Sequence, residues 1–124
     1  MRYLLDSNIL IALALAGNEG VRVRAAECDV GDLVTSAIVY AEVIHGSIGG
    51  KPPPFEQLQT LIEEIHVLPF DETAARFYAS LPFDRGSYDR LIAAHALSLD
   101  LIVVTHNRKD FADVPGLKVE NWTV

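Results

Sequence analysis

The stretch Leu101-Ile102-Val103-Val104 is apolar at all four positions. A strand with one wet face alternates apolar and polar residues, whereas an unbroken apolar, β-branched run suits a strand buried on both faces. Such a strand belongs to a parallel sheet with helices packed on either side. Working outward, Ser87 is placed to cap a helix over Tyr88–Leu99, and Leu117–Trp122 predicts a fifth strand. The same alternation runs back to the start of the chain. Arg2–Asp6 predicts a strand, Asn8–Ala16 a helix apolar all round and stopped by Gly17-Asn18, and Glu19–Glu27 a weaker helix. Asp32–Thr35 predicts the second strand. Ser36 then caps a helix over Ala37–His45, closed by Gly46. Phe55–Ile65 is amphipathic, with Leu58, Leu61, Ile62 and Ile65 on one face, and His66–Pro69 predicts the third strand. Asp71 caps a helix over Glu72–Leu81, followed by a loop at Pro82–Gly86. Alternating strands and helices predict an α/β fold with a mainly parallel central sheet. Gly49-Gly50-Lys51 and Pro52-Pro53-Pro54 form a break too short to separate domains, so a single domain over 1–124 is expected.

Composition narrows the function. Half of the 124 residues are apolar and 22% are charged, the balance of a folded globular protein. Ten basic against 17 acidic residues leave a net charge of −7. A protein whose main task is to coat nucleic acid carries a basic footprint, and this one does not. Cys28 is the sole cysteine, which excludes an intrachain disulfide, a four-thiolate zinc site and an iron–sulfur motif. The reducing cytosol is the expected compartment. Ile9–Ala16 resembles the core of a signal peptide, but Asp6 lies inside that leader and Tyr3-Leu4-Leu5 reads as a buried strand.

In an open parallel sheet, ligands bind beyond the carboxyl ends of the strands. Asp6 follows the first strand, and Thr105, His106 and Asn107 follow the fourth. Asp89 stands in the first turn of a helix, and Glu42 on a helix whose neighbours Val39, Val43 and Ile44 are apolar. Acids converging at one sheet end repel each other, and a bound divalent cation removes that repulsion. Oxygen-only ligands suit Mg²⁺ or Mn²⁺. Such an ion activates water and neutralises phosphoryl charge, which suggests phosphodiester hydrolysis.

Four motifs carry a resemblance. Tyr3-Leu4-Leu5-Asp6-Ser7-Asn8-Ile9-Leu10, Ser36-Ala37-Ile38-Val39-Tyr40-Ala41-Glu42 and Tyr88-Asp89-Arg90-Leu91-Ile92-Ala93-Ala94-His95-Ala96-Leu97 resemble, in order, the first three motifs of the PIN-domain ribonucleases. Val103-Val104-Thr105-His106-Asn107-Arg108-Lys109-Asp110-Phe111, with Val114-Pro115-Gly116-Leu117 and Glu120-Asn121-Trp122, resembles the closing signature of the VapC toxins of bacterial toxin–antitoxin modules. The resemblance implies a three-layer αβα sandwich, a metal-dependent endoribonuclease specific for single-stranded RNA, and a homodimer. It also implies inhibition by a VapB-type antitoxin whose tail occupies the active-site groove, with operator DNA reached only through that antitoxin. Asp6, Glu42 and Asp89 match the family's first three acids, with Asp6 and Asp89 as direct ligands of Mg²⁺ or Mn²⁺. Asn107 or Asp110 takes the fourth position, and Ser7 and Thr105 match supporting hydroxyls. The segment Ser80–Ser87 is shorter than in most relatives and alters the groove rim.

Other residues are weighed separately. Arg85, Arg90 and Arg108 lie near the motifs and are candidates for steering RNA phosphates. Glu42-x-x-His45 and Glu63-x-x-His66 resemble halves of a di-iron bundle, but Pro52–Pro54 and Pro69 break the helices that bundle requires. His45 reads as a surface or capping residue, His95 as packed, and His106 as a loop residue. Phe111 and Trp122 read as core anchors. The apolar helix Ile9–Leu15 suits either a buried helix or one wall of a groove for an antitoxin helix. A phosphorylated receiver domain lacks its mid-chain Asp, a haloacid-type phosphatase lacks a second Asp after Asp6-x-Asn8, and a catalytically silent module conflicts with the intact acids.

Overall fold

A computed structural model describes the whole chain, Met1–Val124. Five strands, β1 (Tyr3–Leu5), β2 (Leu33–Ser36), β3 (His66–Leu68), β4 (Ile102–Val104) and β5 (Val119–Glu120), form one sheet. Their order is β3-β2-β1-β4-β5, and every neighbouring pair is parallel. The helices are α1 (Ser7–Leu15), α2 (Glu19–Ala26), α3 (Ala37–Ile48), α4 (Phe55–Ile62), α5 (Glu72–Ala79) and α6 (Tyr88–Ser98), with a 3₁₀ turn at Arg108–Asp110. The chain winds leftward from β1 to β3 through α1–α4, then crosses to β4 through α5 and α6. Right-handed crossovers place these two sets of helices on opposite faces, giving the αβα sandwich. No helix is long and apolar enough to cross a membrane.

The sheet is buried where the apolar run demands it. Leu4, Leu5, Val103 and Val104 have no exposed surface, and Ile9, Leu10, Val39, Ile92 and Leu58 close over them from the helices. The last residues lock against the amino-terminal strand. Trp122 lies edge-on to Tyr3 at 5.0 Å, its indole N–H donates to Glu120 at 2.9 Å, and Arg24 spans both as ion pair and cation–π partner. Gly20 permits this closure, because a Cβ there would stand 2.6 Å from the Trp122 carbonyl oxygen.

Three helix ends fall two or more residues from expectation, and the first is α5, which stops at Ala79 rather than Leu81 as the Leu81 N–H falls back on the Tyr78 carbonyl. The helix predicted to stop at Gly46 continues to Ile48, and Gly49 ends it by donating to the His45 carbonyl. A mid-helix glycine costs only about 1 kcal/mol relative to alanine, less than the packing of α3 returns. The helix predicted over Phe55–Ile65 ends at Ile62, because the chain must turn into β3, and the N–H groups of Glu64 and Ile65 fall back on the Leu61 carbonyl.

Candidate metal and nuclease site

The winding direction reverses between β1 and β4, so their carboxyl ends open the crevice where such sheets bind ligands. Asp6 stands there. Its N–H donates to the Val104 carbonyl at 2.9 Å, which ties the end of β1 to the end of β4. Its side chain caps α1, Oδ1 accepting from the Ser7 N–H at 2.8 Å. Oδ2 accepts from the Thr105 hydroxyl at 2.8 Å, and that hydroxyl accepts in turn from the Asn107 N–H at 3.1 Å. Asp6 is only 4% exposed. Burial pushes its carboxyl above the usual range, against the two hydrogen bonds that favour the charged form, and Asp110 adds like-charge repulsion.

Glu42 and Asp89 share that field. Glu42 is half-buried on α3, six residues past the Ser36 cap, whose hydroxyl accepts from Ile38 N–H at 3.1 Å. Burial raises its carboxyl, and the charges of Asp6 and Asp89 raise it further. Asp89 lies in the first turn of α6 behind Ser87, whose hydroxyl accepts from Arg90 N–H. Burial raises it too, with Asp6 and Asp110 adding to the effect. Asp6, Glu42 and Asp89 come from three chain segments, and each is raised by at least one acid of another segment, Asp110 among them. No Lys or Arg forms an ion pair with them: Arg24 pairs with Glu120 and Arg76 with Glu72.

This donor set fits a hard divalent ion. It is all oxygen, it is mutually repelling, and Asp6 is held in place by its neighbours. No three acidic, histidine or cysteine side chains close by themselves around one ion. Mg²⁺ does not require that, because it keeps several waters and binds through one or two carboxylates.

The remaining expected residues divide. Asp110 and Asp89 line one polar hollow of about 270 Å³ with Arg85, Gly86, Ser87, Arg90 and Asp113. Sequence reasoning missed Asp113. The signal was present, because buried Phe111 and Val114 leave Asp110 and Asp113 three residues apart on the opposite side of the same turn. Arg85 lies at the rim, and Arg108 is exposed at the start of the 3₁₀ turn. Arg90 is already engaged. Its guanidinium lies 4.0 Å from the centre of the Phe83 ring and donates to the Arg85 carbonyl, so it braces the short Ser80–Ser87 rim. Asn107 contributes its N–H to Thr105. His106 is exposed and pairs with Thr123. His95 is buried as expected, its Nδ1 at 2.8 Å from Ser36 Oγ and its ring edge-on to Phe70. Burial holds it below the usual imidazole range. It thereby ties α6 to the cap of α3, the two helices that carry Asp89 and Glu42.

Comparison with known proteins decides the family. Residues 3–117 match the PIN domain model. The chain belongs to the PIN-domain family. Within that family it is 33% identical to Ribonuclease VapC1 of Haemophilus influenzae, over 99% of each chain. It is 29% identical to the tRNA(fMet)-specific endonuclease VapC of Shigella flexneri, again over 99% of each. Among solved structures, VapBC-1 from nontypeable Haemophilus influenzae superimposes with a TM-score of 0.80 at 33% identity, covering 100% of both chains. DNA-bound VapBC from Salmonella typhimurium gives 0.81 at 30% identity, covering 98% of each. A PIN domain of the VapC group thus carries Asp6, Glu42 and Asp89 around the β1–β4 crevice, on the three segments whose motifs carried the resemblance.

Proposed function

We infer that this chain is an endoribonuclease toxin that hydrolyses RNA phosphodiester bonds at the β1–β4 crevice and is neutralised by a cognate VapB-type antitoxin. The observation that carries the reading is Asp6, buried at the switch point, held by Ser7 and Thr105, and raising the carboxyls of both Glu42 and Asp89. Asp6 and Asp89 hold Mg²⁺ or Mn²⁺, while Glu42, with Asn107 or Asp110, completes the surround. The bound ion supplies a polarised water and neutralises phosphoryl charge. The chain's residues do the rest. Thr105 keeps Asp6 Oδ2 in one orientation. The Ser36 and Ser87 caps fix the helices that aim Glu42 and Asp89. Glu42, whose carboxyl is raised by burial and further by Asp6 and Asp89, is placed to take a proton from the attacking water. Arg85 stands at the rim that the RNA backbone would approach and Arg90 braces it, whereas Arg108 lines a separate hollow with Lys109 and Phe111.

The protein acts as one domain in the cytosol and as a homodimer. The antitoxin helix lies along the exposed end of α1, where Leu13 and Leu15 are only partly covered. Operator DNA is reached through the antitoxin, consistent with the net charge of −7. The test is incubation of purified protein and Asp6→Asn with total RNA and Mg²⁺. Cleavage by the parent and none by the variant is expected, and equal cleavage by both sinks the assignment.

A further inference from the structure

The Glu42-x-x-His45 pair belongs to no di-iron bundle, and the structure gives it a different setting. Ile38, Ala41, Glu42 and His45 recur at i, i+3, i+4 and i+7 and form one stripe of α3, opposite the buried Val39 and Val43. That stripe and Tyr88, the first residue of α6, line a hollow of about 450 Å³. The volume falls in the range of small-ligand sites. Tyr88 is 63% exposed, although buried Ile92 and half-buried Leu91 lie within a turn of it. It directly precedes Asp89, and Glu42 belongs both to the hollow and to the acid cluster. The hollow is therefore continuous with the site.

Its chemistry selects among the components of a nucleotide. The lining contains a carboxylate and no Lys or Arg, so it repels a phosphate. It offers an exposed aromatic face, two apolar side chains and an imidazole that can donate and accept, which together suit a flat, neutral heterocycle. We propose that this hollow is a nucleobase subsite of the RNA groove, in which a base flanking the scissile phosphate stacks on Tyr88 while His45 reads its edge. The proposal rests on the ribonuclease reading above and adds the element that selects sequence. Sequence-tolerant stacking comes from Tyr88, and discrimination comes from His45.

The experiment uses the full-length chain and short single-stranded RNAs. Tyr88→Ala raises KM about tenfold with kcat within about twofold, the scale of one lost base–aromatic stack. Tyr88→Phe keeps the ring and restores KM. His45→Ala changes the preferred base at one flanking position when cleavage of oligonucleotides varied base by base is compared. A second readout needs no turnover. RNA carrying 2-aminopurine next to the cleavage position is mixed with Asp6→Asn protein in chelator, and stacking quenches its fluorescence. Asp6→Asn/Tyr88→Ala does not quench it. An unchanged KM for Tyr88→Ala, in protein whose circular dichroism matches the parent, overturns the proposal. So does an unchanged RNA KM accompanied by a changed dimer mass or antitoxin affinity, which would assign the hollow to a protein partner. Failure of the ribonuclease reading itself looks different, because parent and Asp6→Asn would then cleave alike.

Discussion

The two ends of this sheet hold two different clefts. At the amino ends of β2 and β3, Leu13, Ala25, Cys28, Leu33, Leu61 and Ile65 line a largely apolar hollow of about 570 Å³, edged by Asp29, Glu63 and Glu64. At the carboxyl ends of β1 and β4, a smaller polar hollow of about 270 Å³ holds Asp89 and Asp110, and the charges of Asp6, Asp89 and Asp110 raise neighbouring acids. The roomier cleft has acids only at its exposed edge, Asp29, Glu63 and Glu64, and none of them is buried. The acidic end buries Asp6 and half-buries Glu42 and Asp89, at an energetic cost. Crowded carboxylates without an ion pair are costly in a metal-free fold, and acids perturbed by burial and by one another mark a candidate functional end. Cleft volume follows where apolar surface is left uncovered, whereas reactivity follows where charge is confined.

Variants that act on one end and spare the other break or sharpen this contrast. The largest effect belongs to Asp6→Asn, which removes the charge at the centre of the cluster but keeps the cap on α1. RNA cleavage falls at least ~100-fold in a gel assay, as for loss of a metal ligand, while the antitoxin helix still binds along α1. At the opposite end, Leu13→Glu adds a charge beside Glu63 and Glu64 in the apolar hollow. Antitoxin affinity measured by calorimetry weakens by roughly 10- to 100-fold, the scale of a lost interface anchor, and cleavage by the isolated toxin stays within about twofold.

Thr105→Val tests the support beneath Asp6. The hydroxyl favours the ionised carboxylate, so its loss raises an already raised carboxyl. The acid limb of the cleavage–pH profile moves to higher pH, and kcat/KM on that limb falls about tenfold, the usual scale for a group that orients a ligand. The smallest effect is on stability. Asp89 is raised in the folded state, so the fold retains a proton that the unfolded chain releases. Stability therefore falls as pH rises from the ordinary Asp value of about 3.9 through the raised one. In chelator at neutral pH, Asp89→Asn melts a few degrees above the parent. The gap closes below about pH 3.9, where both are uncharged at this position. Mg²⁺ raises the Tm of the parent alone.

Much of this was legible in the residue order. The unbroken apolar run at Leu101–Val104 marked a strand covered on both sides, and the serine and aspartate caps before α3, α5 and α6 placed those helices to within a residue at their starts. Asp6 was legible because it ends an apolar strand, and Asp89 because it follows a cap. Helix ends were less legible. Gly46 reads as a stop, yet tertiary packing carries α3 through it to Ile48. Side-chain partnerships between distant segments were not legible at all. Nothing local marks Arg90 as bound to Phe83 and Arg85, His95 as bonded to Ser36, or Tyr88 as left exposed beside Glu42. These depend on which helices the sheet order brings together, and a pattern of periods does not encode that.

The central claim is that the acids at the β1–β4 crevice form one divalent-cation site. Calorimetric titration of Mn²⁺ into metal-free protein tests it directly, with Asp6→Asn and Asp89→Asn titrated alongside. Saturable binding by the parent, lost or weakened at least about tenfold in each variant, is the predicted result. Equal binding by all three proteins, or no binding by the parent, would contradict it.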